Sequence, residues 1–599
     1  MMKLLRYRIA LPRPDSHLVE VELCFPAGRP SVTVEMPAWC PGSYLIRDYA
    51  RHVRDLVAED AGSGRRLETE QVSKREWEIR SGDAEEIRLR YRVYGHELTV
   101  RTNHIDASHA FLHGPALFMF PSEARDWPCE LEVAAPAGWP IETGLAGGEG
   151  RYRAADVDEL LDCPLHVGPV ELRELHAGGR PIRLAVWGHE ERGGPFGLDD
   201  LTRDLGKVID SHAARLGDLP PPAYTFILML SPGAYGGLEH RSSSANLNSP
   251  FAFAQGKSYQ ELVELLSHEL FHAWNGKRLR PAAFDRFDYG RENYTRCLWV
   301  IEGLTSYYDR LAVRRAGVMT AGQYLGKLLE DWGRMLAVPG RFRHSLEDSS
   351  LNAWQKLYKP DESNINTTVS YYLKGSVVMA ALDLELRRRS EGEIDLDRVL
   401  VHLWREFGAR ERGYPEDVRA IFEEASGLEL GDFFARHIAG REDPDMKGAL
   451  AAFGLDLTAT WDGYKKEEGA RPPVWLGLFM QPGGGRVVAG ILDGGPAERA
   501  GLSPGDEIIA VNRYQVAGEA DLRGKLVGRA AGEPIGLAVF RRGRLETLEV
   551  ALEHAPHTRL ELVAQAEAGS MARKLYRDWM AEDLPGTGII ASAQVGGAI

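Results

Sequence analysis

No segment of this chain narrows its possible structures more than Ser267-His-Glu-Leu-Phe-His272. His268 and His272 are four residues apart, so they meet on one face only if the segment is an α-helix, about one turn between them. Two neutral imidazoles at that spacing can grip one Zn²⁺. Glu269 then points to the side of the pair, where a carboxylate can reach a water on the ion and act as its base. Ser258-Tyr-Gln-Glu261 predicts a capping box at the start of this helix. Leu262, Leu265, Leu266, Leu270 and Ala273 supply its apolar residues, and the helix is expected from Ser258 to about Lys277.

A catalytic zinc takes three protein ligands and keeps one position open. The best third candidate is Glu302, the one acidic residue in Leu298-Trp-Val-Ile-Glu-Gly-Leu-Thr-Ser-Tyr-Tyr308. A lone carboxylate in apolar surroundings is costly unless it is paired or bound to a metal. The 29 residues between His272 and Glu302 allow a helix end, a long loop and a return helix. Asp285, Asp288 and Glu292 are nearer but sit in a Gly/Asn-containing loop, and they rank lower. The five cysteines contain no CxxC pair. They read as buried free thiols rather than a disulfide framework or a zinc ribbon.

At 599 residues the chain is too long for one core, and about four domains of ~150 residues would be ordinary. Its composition is that of a folded protein, and a net charge of −15 argues against nucleic-acid binding through a general basic surface. Arg6, Arg8 and Pro12 break the N-terminal apolar residues, so no signal-peptide core is read there. No run of about 18 apolar residues suggests a membrane span. The expected compartment is the cytoplasm.

Period-two alternation marks the first part as sheet: Val19, Val21 and Leu23 alternate with glutamates, and Ile87, Leu89, Tyr91 and Val93 with arginines. Near residue 195 the pattern turns helical. Helices are expected at Leu198–Leu216 and at about 293–315, 320–336, 370–390, 396–408 and 415–425, with Tyr224–Leu230 as a buried strand. Tyr464 to Pro473 is charged and then proline-rich, as a linker would be. Short strands with Gly-rich turns follow, and Ser570 to Ala581 is one amphipathic helix.

His-Glu-Leu-Phe-His, continuing into HAWNGKRLRP and then LWVIEGLTSYYD, resembles the glycyl aminopeptidase family, a branch of the gluzincin metallopeptidases with a thermolysin-like catalytic domain. The segment MPAWCPGSYLIRDYARHV is similar to the β-domain of that family. The resemblance spans nearly the whole chain. It implies one zinc per chain held by His268, His272 and Glu302, Glu269 as general base, and a preference for small N-terminal residues, glycine and alanine. Gly236-Gly-Leu-Glu-His240 is similar to the Gly-x-Met-Glu-Asn motif of gluzincin aminopeptidases. There an edge strand, here with Gly236 and Gly237, aligns the peptide, and the glutamate, here Glu239, binds its free α-amino group. Leu238 and His240 depart from the pattern. Tyr371-Tyr-Leu-Lys-Gly375 is similar to the Tyr-x-Lys-Gly segment of those enzymes. In that register Tyr372 donates to the tetrahedral oxyanion, with Tyr371 the alternative.

Trp475-Leu-Gly-Leu-Phe479, followed by Gly494-Gly-Pro-Ala-Glu-Arg-Ala-Gly-Leu-Ser-Pro-Gly-Asp, resembles a PDZ domain of the bacterial protease type. The N–H groups of Leu476, Gly477 and Leu478 would hold a peptide's C-terminal carboxylate. The apolar ending Ala598-Ile599 is of the kind such a groove takes, in the same chain or a neighbour. The expected architecture is multidomain α+β. It comprises an N-terminal β-sandwich-like domain (1–170), a thermolysin-like, mainly helical zinc peptidase domain (171–460), a PDZ domain (470–556) and a tail with a short helix (557–599). The expected partners are peptides with a free N-terminus, with no membrane span and no nucleic acid. The rival readings are an endopeptidase whose PDZ domain presents substrates, and a non-catalytic peptide-binding protein.

Overall fold

The computed structural model describes residues 3–189, 194–461, 471–595 and 598–599. The expected linker falls outside them at 464–470. The chain divides into two compact units. The first comprises Met1–Tyr294, Tyr308–Val318 and Val401–Pro415, and the second Thr295–Tyr307, Met319–Leu400 and Glu416–Ile599.

The first unit begins with β-structure built as the alternation requires. A seven-stranded sheet includes Leu5–Ala10, Leu18–Pro26 and Glu86–Tyr94, and a four-stranded sheet is centred on Ser31–Glu35 and Glu76–Arg80. Val19, Val21, Leu23, Ile87, Leu89 and Tyr91 join Val34, Trp77 and Ile79 in one core, while the intervening Glu and Arg residues face outward. That is a sandwich of two sheets with polar outer faces.

A five-stranded sheet follows. Arg180–Trp187, Tyr224–Leu230 and Ser243–Asn248 run parallel, and Gly236–Glu239 closes one edge antiparallel to Ser243–Asn248. All seven residues of Tyr224–Leu230 are buried, which is why this strand reads as an unbroken apolar run. The helices Leu198–Leu216 and Gly256–Phe271 pack together in the same unit.

In the second unit the expected helices form at Ala321–Leu336, Leu373–Arg389, Arg419–Ser426 and Ser570–Met580. Thr320 and Gln323 make a capping box at the first of these. The expected helix over 293–315 starts later, with a π-helical turn Trp299–Gly303 continuing as Leu304–Arg315. The PDZ-like part has its own core of Leu476, Leu478, Ile508, Val511, Leu522, Val539 and neighbours. Among the described residues no helix is long and apolar enough to cross a membrane. All five cysteines are free thiols, four of them buried.

Candidate active site

The helix Gly256–Phe271 is entered through a 3-10 turn, Pro250–Ala254, whose cap Ser249 accepts from the Phe251 N–H. That turn delivers the chain into helical geometry at Gly256, two residues before Ser258. Gln255 is the N-cap and its side chain makes no capping bond, so the expected Ser258–Glu261 capping box is not formed. The helix also ends earlier than expected, at Phe271 rather than near Lys277. His272, the C-cap, keeps right-handed helical dihedrals (φ −62°, ψ −17°), so the four-residue spacing from His268 survives. Beyond it the chain turns back, with Leu279 N–H donating to Trp274 O and Gly276 N–H to Leu279 O.

This turn has a chemical use, because it brings the Asn275 carbonyl to His272. Nδ1 of His272 lies 2.7 Å from that oxygen, which can only accept, so Nδ1 carries the proton. Nδ1 of His268 lies 2.9 Å from a carboxylate oxygen of Asp309 and is fixed the same way. In the neutral form of each ring Nε2 is then the lone-pair atom, the arrangement that orients ligating histidines. The ring centroids are 4.8 Å apart with an interplanar angle of 82°. Ser267 ties the two elements further, its hydroxyl donating to the Asp309 carbonyl at 2.9 Å.

Asp309 and Asn275 were not foreseen. Asp309 had a signal: it lies seven residues after Glu302, two helical turns on, which returns it to nearly the same face. Replacing Asp309 with Ala should weaken zinc binding by roughly 10- to 100-fold. Competition with a chelator measures this, and saturating zinc should restore most of the activity.

The strand Gly236–Glu239 puts its residues beside the helix Gly256–Phe271. Single ligand atoms of Glu239, Glu269 and His272 all lie within 4.8 Å of one another. Glu239 is 7% exposed. Gly237 explains how the strand and Glu269 come so close: a Cβ built on it would lie 2.0 Å from Oε1 of Glu269. Arg101 donates to the Gly237 carbonyl at 3.0 Å and pins the strand from the β-sandwich side of this unit. Gly42, in the turn Pro41-Gly42, is the other close neighbour, since a Cβ there would meet Oε1 of Glu239 at 2.5 Å. Arg101 and Gly42 were also not foreseen, and neither carries a local sequence signal.

The two departures in this motif have packing explanations. Leu238 is buried with Val100, Phe111, Ile227, Met229 and Ala245. His240 is buried with Nδ1 3.4 Å from Asp162. Asp162 also accepts from the Arg241 N–H and from Lys277, each at 2.8 Å. Its burial is outweighed by Lys277⁺ and the His240 bond, which hold the carboxyl well below the usual range.

In the second unit Glu302 sits in the π-helical turn Trp299–Gly303 and is 2% exposed. Tyr372 immediately precedes the helix Leu373–Arg389. These two segments pack backbone to backbone: a Cβ on Gly303 would lie 2.7 Å from the Cα of Gly375. Burial, and then the negative charge of Glu302, push the Tyr372 phenol well above its ordinary value, so it keeps its proton and remains a donor. Tyr371 is fully buried and stacks on Tyr372, ring centroids 4.8 Å apart.

The PDZ-like part places its three expected N–H groups around one atom. Leu476 and Gly477 N–H each lie 2.7 Å from the Ile599 oxygen, and Leu478 N–H lies 3.4 Å from it. Gly477 has φ +78°, a left-handed conformation that glycine adopts without penalty and that turns successive N–H groups toward one point.

Comparison with known proteins agrees with these parts. The M61 N-terminal domain model matches residues 6–169, the M61 glycyl aminopeptidase model residues 261–378, and a PDZ domain model residues 466–552. The crystal structure of an aminopeptidase N family protein from Idiomarina loihiensis is 30% identical, with a TM-score of 0.88 over 96% of this chain and 100% of that one. An M1 zinc metallopeptidase from Deinococcus radiodurans is 16% identical, with a TM-score of 0.46 over 74% of this chain and 96% of that one. A probable periplasmic serine endoprotease, DegP-like, from Pseudomonas putida is 27% identical over 136 residues, which is 20% of this chain and only 28% of that relative. The full-length likeness and the ordered domains place the chain in the M61 glycyl aminopeptidase family of metallopeptidases, with a PDZ domain appended.

Proposed function

We propose that this chain is a zinc aminopeptidase that releases small residues, glycine and alanine, from peptide N-termini. The observation that carries the reading is the grouping of Glu239 with Glu269 and His272. It sets a second carboxylate beside the base, where a peptide's N-terminal ammonium can be held by charge-assisted hydrogen bonds.

On the resemblance to the glycyl aminopeptidases, His268, His272 and Glu302 are the proposed holders of the ion, a donor set of two imidazoles and one carboxylate. The set fits zinc, because both histidines are fixed through Nδ1, which leaves Nε2 for an ion, and the glutamate lies in an apolar turn. When bound, zinc supplies a Lewis acid toward the scissile carbonyl and the attacking water. Glu239 anchors the substrate ammonium and so sets the distance from the N-terminus to the bond that is cut. Glu269 takes a proton from the attacking water and gives it to the leaving amine. Tyr372, held neutral, donates its O–H as negative charge develops on the carbonyl oxygen. The resemblance to glycyl aminopeptidases supports the small-residue preference.

The test compares free and N-acetylated glycyl and alanyl substrates. The wild type should cleave the free amines and leave the blocked ones. Glu239→Ala should lose about 10²-fold or more in kcat/KM on free amines, the contribution of a buried charge-assisted contact, with little change on blocked substrates. Equal cleavage of free and blocked peptides by the wild type would favour the endopeptidase reading. Tight peptide binding with no cleavage in the zinc-loaded protein would favour the binding-protein reading.

A further inference from the structure

Ile599 sits in the PDZ groove as the last residue of a bound peptide would. Ile599 accepts from Leu476 and Gly477 and donates its own N–H to the Leu478 carbonyl at 2.8 Å. That is the two-way pattern of a strand added to a sheet edge. Its side chain is 2% exposed and shares the PDZ core with Leu476, Leu478, Leu522 and Leu526. One residue back, the Ala598 carbonyl accepts from Arg523 at 3.2 Å, on the helix Glu519–Leu526. The backbone pocket, the apolar side-chain pocket and the penultimate contact are thus all engaged by the same two residues.

We infer that this PDZ groove is a receptor for peptide C-termini ending in a small residue and a branched aliphatic one, and that its resting occupant is this chain's own Ala598-Ile599. Only Gly596 and Gly597 separate these residues from Val595, beside the strand Ile589–Gln594. A tether this short holds its end at an effective concentration of the order of millimolar. An external C-terminus must displace the tail, so the groove answers only to ligands that are abundant or fit better. The inference is independent of the peptidase chemistry.

The experiment uses a dye-labelled peptide with the sequence of residues 590–599, titrated by fluorescence anisotropy. The hosts are the 599-residue chain, the Ile599→Asp variant and a variant lacking residues 598 and 599. Both variants empty the groove, one by burying a charge and the other by removing the ligand. Thermal unfolding of each checks that the PDZ core survives. Either variant, folded, should bind the peptide roughly 10- to 100-fold more tightly than the full chain. Arg523→Ala in the truncated background should weaken that binding several-fold. Equal affinity in full chain and variants overturns the inference, as does absence of binding in a folded variant. A full-chain affinity that changes with protein concentration would mean the tail sits in another copy, and would overturn the internal occupant.

Discussion

Glu269→Gln should lower kcat/KM by about 10³-fold and leave the zinc content unchanged. Glutamine matches glutamate in volume, so the helix Gly256–Phe271 and both histidine bonds at Nδ1 should persist. What is lost is the ability to take a proton from water and return it to the leaving nitrogen. The measurement pairs steady-state kinetics on a glycyl amide with metal analysis of the same sample. A fully active variant would remove Glu269 from the mechanism. Loss of zinc would show that the residue supports the ion rather than the proton transfer.

Gly237→Ala should approach the same severity from a residue with no functional group. Its Cβ would fall 2.0 Å from Oε1 of Glu269, and the Cδ and Cγ of that side chain are also within reach, at 2.3 and 2.6 Å. Moving only the carboxylate tip cannot relieve this. Either Glu269 changes rotamer or the strand Gly236–Glu239 retreats against its Arg101 contact. A displacement of about 1 Å in a catalytic group costs on the order of 10²-fold, so kcat should fall by at least that factor. Zinc affinity should hold, because the three atoms nearest the added methyl all belong to Glu269. A variant that keeps more than half its activity would mean that strand and base do not meet in solution as they do here.

The sequence disclosed this molecule where local chemistry decides the outcome. Leu198–Leu216 and Tyr224–Leu230 form over the expected residues, because an amphipathic stripe and a fully apolar run each have one favourable burial. The helix carrying His268 was visible, but its ends were not. Ser258 and Glu261 spell a capping box, yet the preceding 3-10 turn starts the helix sooner. The far end is set by the turn that brings Asn275 back to His272. The neighbours of the carboxylates were hidden for another reason. Gly42 and Arg101 act on Glu239 and Gly237 across more than 130 residues of chain, and no periodicity records such a meeting. Asp309 lay between these cases, readable from its seven-residue spacing only once Glu302 is singled out.

Gly42 has a consequence for how this protein can be divided. Its turn, with φ +86°, lies against the carboxylate of Glu239. The residues that would measure where a peptide begins are therefore written partly in the sandwich and partly in the sheet that follows it. A chain cut after residue 170 would keep the zinc motif whole and lose the wall against which Glu239 rests. Such a fragment would be a different instrument rather than a smaller copy, with the means to break a bond but without the ruler that says which one. On the proposed role of Glu239 the sandwich would take part in substrate selection, and exchanging it between relatives should shift what is recognised more than how fast it is cut.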